Sequence, residues 1–398
     1  MPKPNPNQAM LFGDSAAARV HDIVGPAPSD AEMVKLASQL PPNLYLGTSS
    51  WSFPGWRGLV WDRAVSTENL ARFGLAVYAA HPLFHTVGLD RTFYAPMSEP
   101  ELADLAAAVP PRFRFLVKAH QVCTRPGADD RGSTFGQTST HTQANPEFLR
   151  ADYAVAKVIA PSILGLAHNC GPIVFQFPPL DLSRNSLTGG ADALLDKLDT
   201  FLSELPKGPV GPHNITPLYA VEVRNAELMS ARFAEMAARN GIAFALASHP
   251  SVPPLSAQRI LLQAEPRQLR QNAPDNSPQA RAAFRGGLVV RWLLNHSQNY
   301  QSAKASYEPF DKLAAEDRPA RQAIAEIVVD AIAAGLPVWV VVNNKAEGSA
   351  PRSIFKLAQE VVSRLARGTA AQRGGALGDA GADGADGADG ADDDASRP

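Results

Sequence analysis

Eight short apolar runs alternate with longer segments of helical periodicity, and this alternation constrains the fold more than any other feature of the chain. The runs are nearly continuous in Val, Leu, Ile and Phe, as expected for strands that helices cover on both faces. They are Leu44–Thr48, Thr86–Leu89, Phe113–Lys118, Ile173–Phe177, Leu218–Val223, Ile242–Leu246, Leu288–Trp292 and Val338–Val342. Strands separated by helices are typical of parallel βα units, and eight of them favour one closed (β/α)₈ barrel of the TIM type. An open doubly wound sheet is the alternative.

The segments between the runs have the spacing of amphipathic helices. They are Thr67–Ala80, Glu99–Ala108, Phe148–Ala160, Ala191–Leu205, Glu227–Asn240, Ala315–Ala334 and Ser353–Leu365. Gly241 and Gly335 each follow the last periodic residue of a segment, where a left-handed helix cap favours glycine.

Composition divides the chain into three regions. Residues 1–42 are rich in proline and are expected to form a flexible N-terminal arm, with one helix around Asp30–Leu40 that Asp30 caps. Residues 43–368 form the barrel domain. Residues 369–398 repeat Gly-Ala-Asp and have almost nothing to bury, so we expect a disordered acidic tail, which acts either as an interaction tail or as a solubilising extension.

Charge and motifs exclude several function classes. The formal net charge of −2 gives no overall attraction to nucleic acid or to a membrane surface. No apolar run approaches the roughly 18–20 residues of a membrane span, and no secretory signal is present, so a cytoplasmic location is expected. Phosphate-binding loops, dinucleotide fingerprints and zinc-protease motifs are missing, and the two cysteines lack metal-ligand spacing, so neither a cofactor nor a metal is expected.

Polar residues stand where the predicted strands end, and barrel enzymes carry their chemistry at that end. The candidates are Ser49, Trp51, Asp90, Arg91, Lys118, His120, Gln176, Glu222, Arg224, His249, Arg291, Asn343 and Asn344. A charged side chain inside an apolar strand needs either an ion-pair or hydrogen-bond partner or a water-filled pocket. One interpretation is an anion-binding pocket in which Glu222 and Lys118 are catalytic and the arginines orient the substrate. The other is a structural lattice of ion pairs that closes the barrel.

Other candidates carry their own alternatives. His120, His249 and Glu222 could together hold a metal, but residues on separate strands give no spacing signal. Asn343 and Asn344 could bind substrate or form the turn after the last strand. Three aromatic side chains near the first strand could stack on a ring or roof the barrel. They are Trp51, Phe53 and Trp56.

Several of these residues lie in motifs that resemble the family called domain of unknown function 72, the YecE-like proteins. The motifs are Gly47 to Trp56, Thr92-Phe93-Tyr94, Phe115 to Lys118, Gln176-Phe177-Pro178-Pro179, Val221 to Arg224, Val290-Arg291 and Asn343-Asn344. The resemblance implies a TIM-type barrel and adds Tyr94 to the expected substrate-binding residues, but it supplies no reaction. The chain departs from the family pattern at Gly88, Asp90, Asn225 and Leu293-Leu294. If the family residues at those positions are catalytic, this member has an altered activity or none.

Two functions are therefore expected as rivals. The first is an enzyme that applies acid–base chemistry to a small anionic substrate. The second is an accessory protein of DNA repair or replication, because Gln8, Leu11 and Phe12 resemble the short peptide that docks on the bacterial sliding clamp. In that case Gln8 fixes the register, while Leu11 and Phe12 fill an apolar pocket. The alternative is that the apolar trio Met10, Leu11 and Phe12 folds back on the barrel as a hydrophobic latch.

Overall fold

Eight parallel strands close into a barrel in sequence order, and the last strand pairs with the first. The structure is a computed structural model, and it describes residues 24–127, 143–259, 287–295 and 298–378. The strands are β1 Leu44–Thr48, β2 Thr86–Leu89, β3 Arg114–Lys118, β4 Cys170–Gln176, β5 Tyr219–Glu222, β6 Ala243–Ser248, β7 Leu288–Trp292 and β8 Val338–Val342. The predicted closed barrel is confirmed.

Four strands, β1, β2, β7 and β8, have the predicted bounds, and the others differ at one or both ends. The largest difference is at β4, which begins at Cys170 instead of Ile173. The pairing of β3 with β4 shifts register between Phe115 and Val117, so β4 needs extra residues to follow its neighbour. An irregularity of this kind leaves no mark in the apolar pattern.

Helices cover the barrel from outside. They are α1 Ala31–Ser38, α2 Thr67–Phe73, α3 Leu75–Ala79, α4 Arg91–Tyr94, α5 Glu99–Ala107, α6 Ala151–Ala154, α7 Ala160–Leu166, α8 Ala191–Glu204, α9 Ala231–Arg239, α10 Tyr300–Tyr307, α11 Arg318–Ala333 and α12 Ala350–Gly378. A π-helical turn, Val155–Ile159, joins α6 to α7. Gly241 and Gly335 have φ of 66° and 75°, which confirms the two predicted left-handed caps.

The barrel interior is a small apolar cluster separate from the larger layer between strands and helices. Its buried members are Leu116, Val174, Ala220, Ala243, Ala245, Val289, Trp339 and Val341. Tyr45 stacks on Trp339 with ring centroids 5.1 Å apart and packs against this cluster. Because side chains alternate along a strand, the residues two positions beyond four of these members also face inward, one level nearer the strand C-termini. These four are Lys118, Gln176, Glu222 and Arg291.

The described part of the N-terminal region, residues 24–42, lies against the barrel. Asp30 caps α1 by accepting a hydrogen bond from the Met33 N–H, as the sequence predicts. Val24 and Leu36 are buried, and the Gly25 N–H donates to Asp62 Oδ1 over 3.0 Å. Residues 1–23, which include Gln8, Leu11 and Phe12, lie outside the described residues.

The last helix, α12, continues to Gly378, beyond the boundary at Gly368 that composition predicts. Residues 379–398 of the predicted tail lie outside the described residues. No helix in the described ranges combines the length and apolar character that crossing a membrane requires.

Candidate functional site

Strands β4, β5 and β7 deliver three polar side chains to the C-terminal end of the barrel, which we call the barrel mouth. Arg291 Nη1 lies 2.6 Å from Gln176 Oε1 and 2.6 Å from Glu222 Oε2. All three side chains are buried, and Glu222 is 0% exposed. One guanidinium nitrogen therefore joins the ends of three strands.

Glu222 also pairs with a second arginine. Arg224 Nη2 lies 2.5 Å from Glu222 Oε1, and both side chains are buried. Burial alone would raise the pKa of Glu222, but Arg224 and Arg291 together hold that pKa at about 2. The carboxylate therefore stays ionised at neutral pH and holds both guanidinium groups in place.

Lys118 closes β3 and is only 5% exposed. Its Nζ lies 3.9 Å from the centre of the Phe93 ring, and the Thr92 hydroxyl donates to the Lys118 carbonyl over 2.6 Å. Burial lowers the pKa of Lys118 to about 8, although nearby Asp90 opposes the shift. The amine therefore exchanges a proton close to neutral pH, as a general acid or base must.

The mouth cluster, defined as Lys118, Gln176, Glu222, Arg224 and Arg291, carries more positive than negative charge. Its three cations face Glu222 and Asp90, whose Oδ1 lies 3.5 Å from Arg291 Nη2 and whose side chain is 38% exposed. The balance is one positive charge. Some buried polar atoms in and beside the cluster have no hydrogen-bond partner among the described residues. They are Ser49 Oγ, Gln176 Nε2, Arg224 Nε, Arg291 Nε and Glu222 Oε1, the last of which is in an ion pair with Arg224.

Three other predicted site residues make hydrogen bonds within the fold. The Trp51 indole donates to the Leu70 carbonyl over 3.0 Å. Asn343 Oδ1 accepts from the Lys345 N–H, and Asn344 Oδ1 accepts from the Trp56 indole and from the Ala350 N–H. The two asparagines thus form the turn that leads into α12, which was one of their two interpretations. Their binding to a substrate stays a prediction.

The aromatic residues after β1 roof the barrel. Phe53 packs on Trp56 with centroids 4.9 Å apart and meets Phe310 edge-on at 5.8 Å. Trp56 is fully buried. This packing fits the second of the two predicted roles.

The histidines near the mouth are engaged with hydroxyl groups. His120 Nδ1 lies 2.7 Å from the Tyr153 hydroxyl, and His249 Nδ1 lies 2.8 Å from Ser251 Oγ. Within the described ranges, no three His, Cys, Asp or Glu side chains are grouped so that they could hold a metal ion.

Two tyrosines stand at the rim of the mouth. Tyr94 ends α4 and is 55% exposed, and Tyr300 begins α10 and is 56% exposed. Lys345, which is itself buried, places Nζ 4.2 Å from the centre of the Tyr300 ring. Sequence reasoning missed Tyr300 and Lys345, because neither directly ends a strand. A search for aromatic residues in the connections after strands would have found Tyr300.

Comparison with known proteins places the chain in a family context. The family model described as "Protein of unknown function DUF72" matches residues 45–374. The fold is similar to that of a DUF72 family protein from Enterococcus faecalis V583, with 16% identity, coverage of 80% of this chain and 95% of the other, and a TM-score of 0.47. It is similar also to a DUF72 family protein from Thermotoga maritima MSB8, with 18% identity, coverage of 81% and 98%, and a TM-score of 0.45. No curated protein matches at a significant level.

Proposed function

Because the chain belongs to the DUF72 family of proteins of unknown function, membership brings no reaction with it, and we propose a function from the site itself. The barrel mouth binds a small substrate that carries a phosphate or carboxylate group, and the protein transforms this substrate by acid–base chemistry. Lys118 is the proton-transfer group, and its positive charge also helps to bind the anionic group, which Arg224, Arg291 and Gln176 hold.

The observation that carries the proposal is the unbalanced charge of the mouth cluster. Three buried cations face one buried and one partly exposed carboxylate, and three N–H groups of the cluster lack an acceptor among the described residues. Buried donors without acceptors are costly, by about 1–3 kcal/mol each. An anionic ligand both supplies the missing acceptors and neutralises the excess positive charge. Guanidinium groups bind phosphate and carboxylate oxygens well because their N–H donors lie in one plane with fixed geometry.

Glu222 and Lys118 have different roles in the proposed reaction. Glu222 was a predicted catalytic residue, but a carboxylate with a pKa of about 2 is a weak base and carries no proton to donate near neutral pH. We therefore assign it to positioning the two arginines. Lys118, with a pKa of about 8, is present in both protonation states at physiological pH and is the better proton carrier.

Titration with sulfate and inorganic phosphate tests the binding step. We expect the wild-type protein to bind both anions, and Lys118→Met to bind them about tenfold more weakly or worse, since a hydrogen bond to a charged group contributes about 1.5–3 kcal/mol. Lys207→Met is the matched control, because Lys207 also lies over an aromatic ring, that of Tyr219 at the start of β5. Its affinity should equal that of the wild type. Failure of the wild-type protein to bind either anion would overturn the proposal.

Lys118→Arg separates binding from chemistry. Arginine keeps the positive charge but does not release its proton in this pH range. Mass spectrometry of molecules that copurify with the native protein identifies the substrate, and turnover of that substrate is then measured. We expect Lys118→Arg to bind the substrate and fail to transform it. Turnover at the wild-type rate would remove Lys118 from the chemistry.

A further inference from the structure

Tyr94 and Tyr300 are two of the four large hydrophobic side chains that are exposed within the described residues. They come from different connections, since α4 follows β2 and α10 follows β7. Both connections begin at the barrel mouth. Partial burial raises the pKa of the Tyr94 hydroxyl, and Asp90 and Tyr300 add to that shift. Because the C-terminal ends of parallel strands lie at one end of a barrel, both rings lie on the mouth side of the fold.

Tyr94 is linked by packing to the mouth cluster. Its ring meets Phe93 edge-on, with centroids 5.3 Å apart and planes at 90°. Phe93 is fully buried, and its ring also carries Lys118 Nζ at 3.9 Å. A short series of contacts thus leads from the exposed Tyr94 ring to the buried amine.

Tyr300 is supported from the other side by Lys345. The ammonium group lies 4.2 Å from the ring centre, a cation–π distance, and the Lys345 backbone N–H is held by Asn343 Oδ1. A half-exposed ring that is held in this way has lost much of its freedom before any ligand arrives. Preorganised aromatic side chains favour binding because little further ordering is needed.

We propose that Tyr94 and Tyr300 bind a planar aromatic ring of the ligand while the mouth cluster holds the anionic group of the same molecule. The substrate class is then an aryl or nucleoside phosphate, or the corresponding aromatic carboxylate. This inference rests on the proposed function, because the anionic group must lie in the mouth for the ring to reach the rim. A tyrosine ring stacks on many different planar rings. The two tyrosines therefore select ligands that carry a planar ring, without distinguishing one such ring from another.

Two matched pairs of small molecules test the inference. Adenosine 5′-monophosphate and ribose 5-phosphate differ only by the base, and phenyl phosphate and methyl phosphate differ by the ring. We expect the wild-type protein to bind the ring-bearing member of at least one pair about tenfold more tightly, as aromatic stacking provides. Tyr94→Ala and Tyr300→Ala should each reduce that preference and leave the affinity for ribose 5-phosphate unchanged.

Conservative and distant variants serve as controls. Tyr94→Phe and Tyr300→Phe keep the ring and should keep the preference. Val34→Ala removes an apolar side chain of α1 with 51% exposure and should change neither affinity. Equal affinity for both members of each pair overturns the inference that the tyrosines bind a ring, but it does not contradict anion binding at the barrel mouth. Failure of all four compounds to bind overturns both.

Discussion

Arg291 on β7 reaches Glu222 on β5 across the intervening strand, with Nη1 2.6 Å from Oε2. The residue of β6 that pairs with Arg291 is Ala247, which is buried and small. By the alternation that places Ala243 and Ala245 in the barrel interior, Ala247 also faces inward. A methyl group at this position leaves the path between β7 and β5 open for the guanidinium.

Ala247→Leu should destabilise the protein by about 1–3 kcal/mol, because a larger side chain overpacks the interior and displaces Arg291 from Glu222. The free energy of unfolding from urea titration checks this. Ala247→Ser adds a single atom and serves as the control, with a smaller loss. Equal stability of Ala247→Leu and the wild type would show that Arg291 does not depend on this space.

Glu222→Gln should cost about 3–5 kcal/mol of folding stability, since it leaves two buried guanidinium groups without their carboxylate. Urea unfolding measures the loss. The double variant Glu222→Gln with Arg224→Gln removes one of the stranded charges, so it should lose less than the sum of the two single variants. Strict additivity would mean that Glu222 and Arg224 do not interact.

Sulfate affinity should fall as the pH rises from 7 to 9.5, because Lys118, with a pKa of about 8, loses the charge that binds the anion. Bound sulfate stabilises the protonated amine, so the midpoint of the fall should lie above 8. Sulfate keeps its own charge over this range, which isolates the protein group. Lys118→Arg should show a flat profile, and the same slope in that variant would assign the titration to another group.

Acid should destabilise the fold through His81 and His85, which lie just before β2. Burial lowers the pKa of both to about 4. Since an unfolded histidine has a pKa near 6.5, the unfolded state binds more protons between about pH 4 and 6.5, and stability falls as the pH falls through this window. We expect a loss of about 2 kcal/mol from pH 7 to 4.5, which allows for the partial exposure of both rings.

The variant His81→Phe with His85→Phe isolates this effect. Unfolding followed by circular dichroism across the window should give a shallower pH dependence than in the wild type. Carboxylates titrate equally in both proteins, so they do not change the comparison. Identical slopes would assign the acid sensitivity to those carboxylates.

A peptide of residues 5–16 should bind a bacterial sliding clamp with micromolar affinity, about −8 kcal/mol, if Gln8, Leu11 and Phe12 form the docking motif. Fluorescence anisotropy with purified clamp measures it. Leu11→Ala with Phe12→Ala should abolish binding in the peptide and in the full chain, with no change in the thermal midpoint of unfolding. Absence of binding by the wild-type peptide and the full chain at high micromolar concentration would end the accessory-protein hypothesis.

The order and number of the strands were predictable because burial on both faces imposes apolar runs that are visible in the sequence. The side chains of the mouth were found by one rule, that parallel strands deliver their C-termini to one end. Alternation also placed Glu222 and Arg224 on one side, and their 2.5 Å ion pair agrees. The rule was less informative for His120, which like Arg224 lies just beyond its strand, but whose Nδ1 meets the Tyr153 hydroxyl instead of the mouth cluster.

Other features depend on packing between segments that are distant in sequence. The role of Glu222 follows from the two arginines beside it and the role of Lys118 follows from its burial, and neither residue type indicates this alone. Tyr300 lies within the long connection after β7, where no periodic pattern marks it as part of the mouth. The π-helical turn Val155–Ile159 is likewise indistinguishable in sequence from the α-helix predicted there.

The pairing of β1 with β8 has a consequence for synthesis on the ribosome. Strand β1 leaves the ribosome early, but its second neighbour follows only when nearly the whole barrel has been translated. Until then one edge of β1 has open N–H and C=O groups, which is the kind of edge that recruits strands from other chains. Nascent chains therefore keep this edge open until β8 has emerged, and a pause placed before codon 338 should raise the yield of aggregate compared with synthesis without the pause.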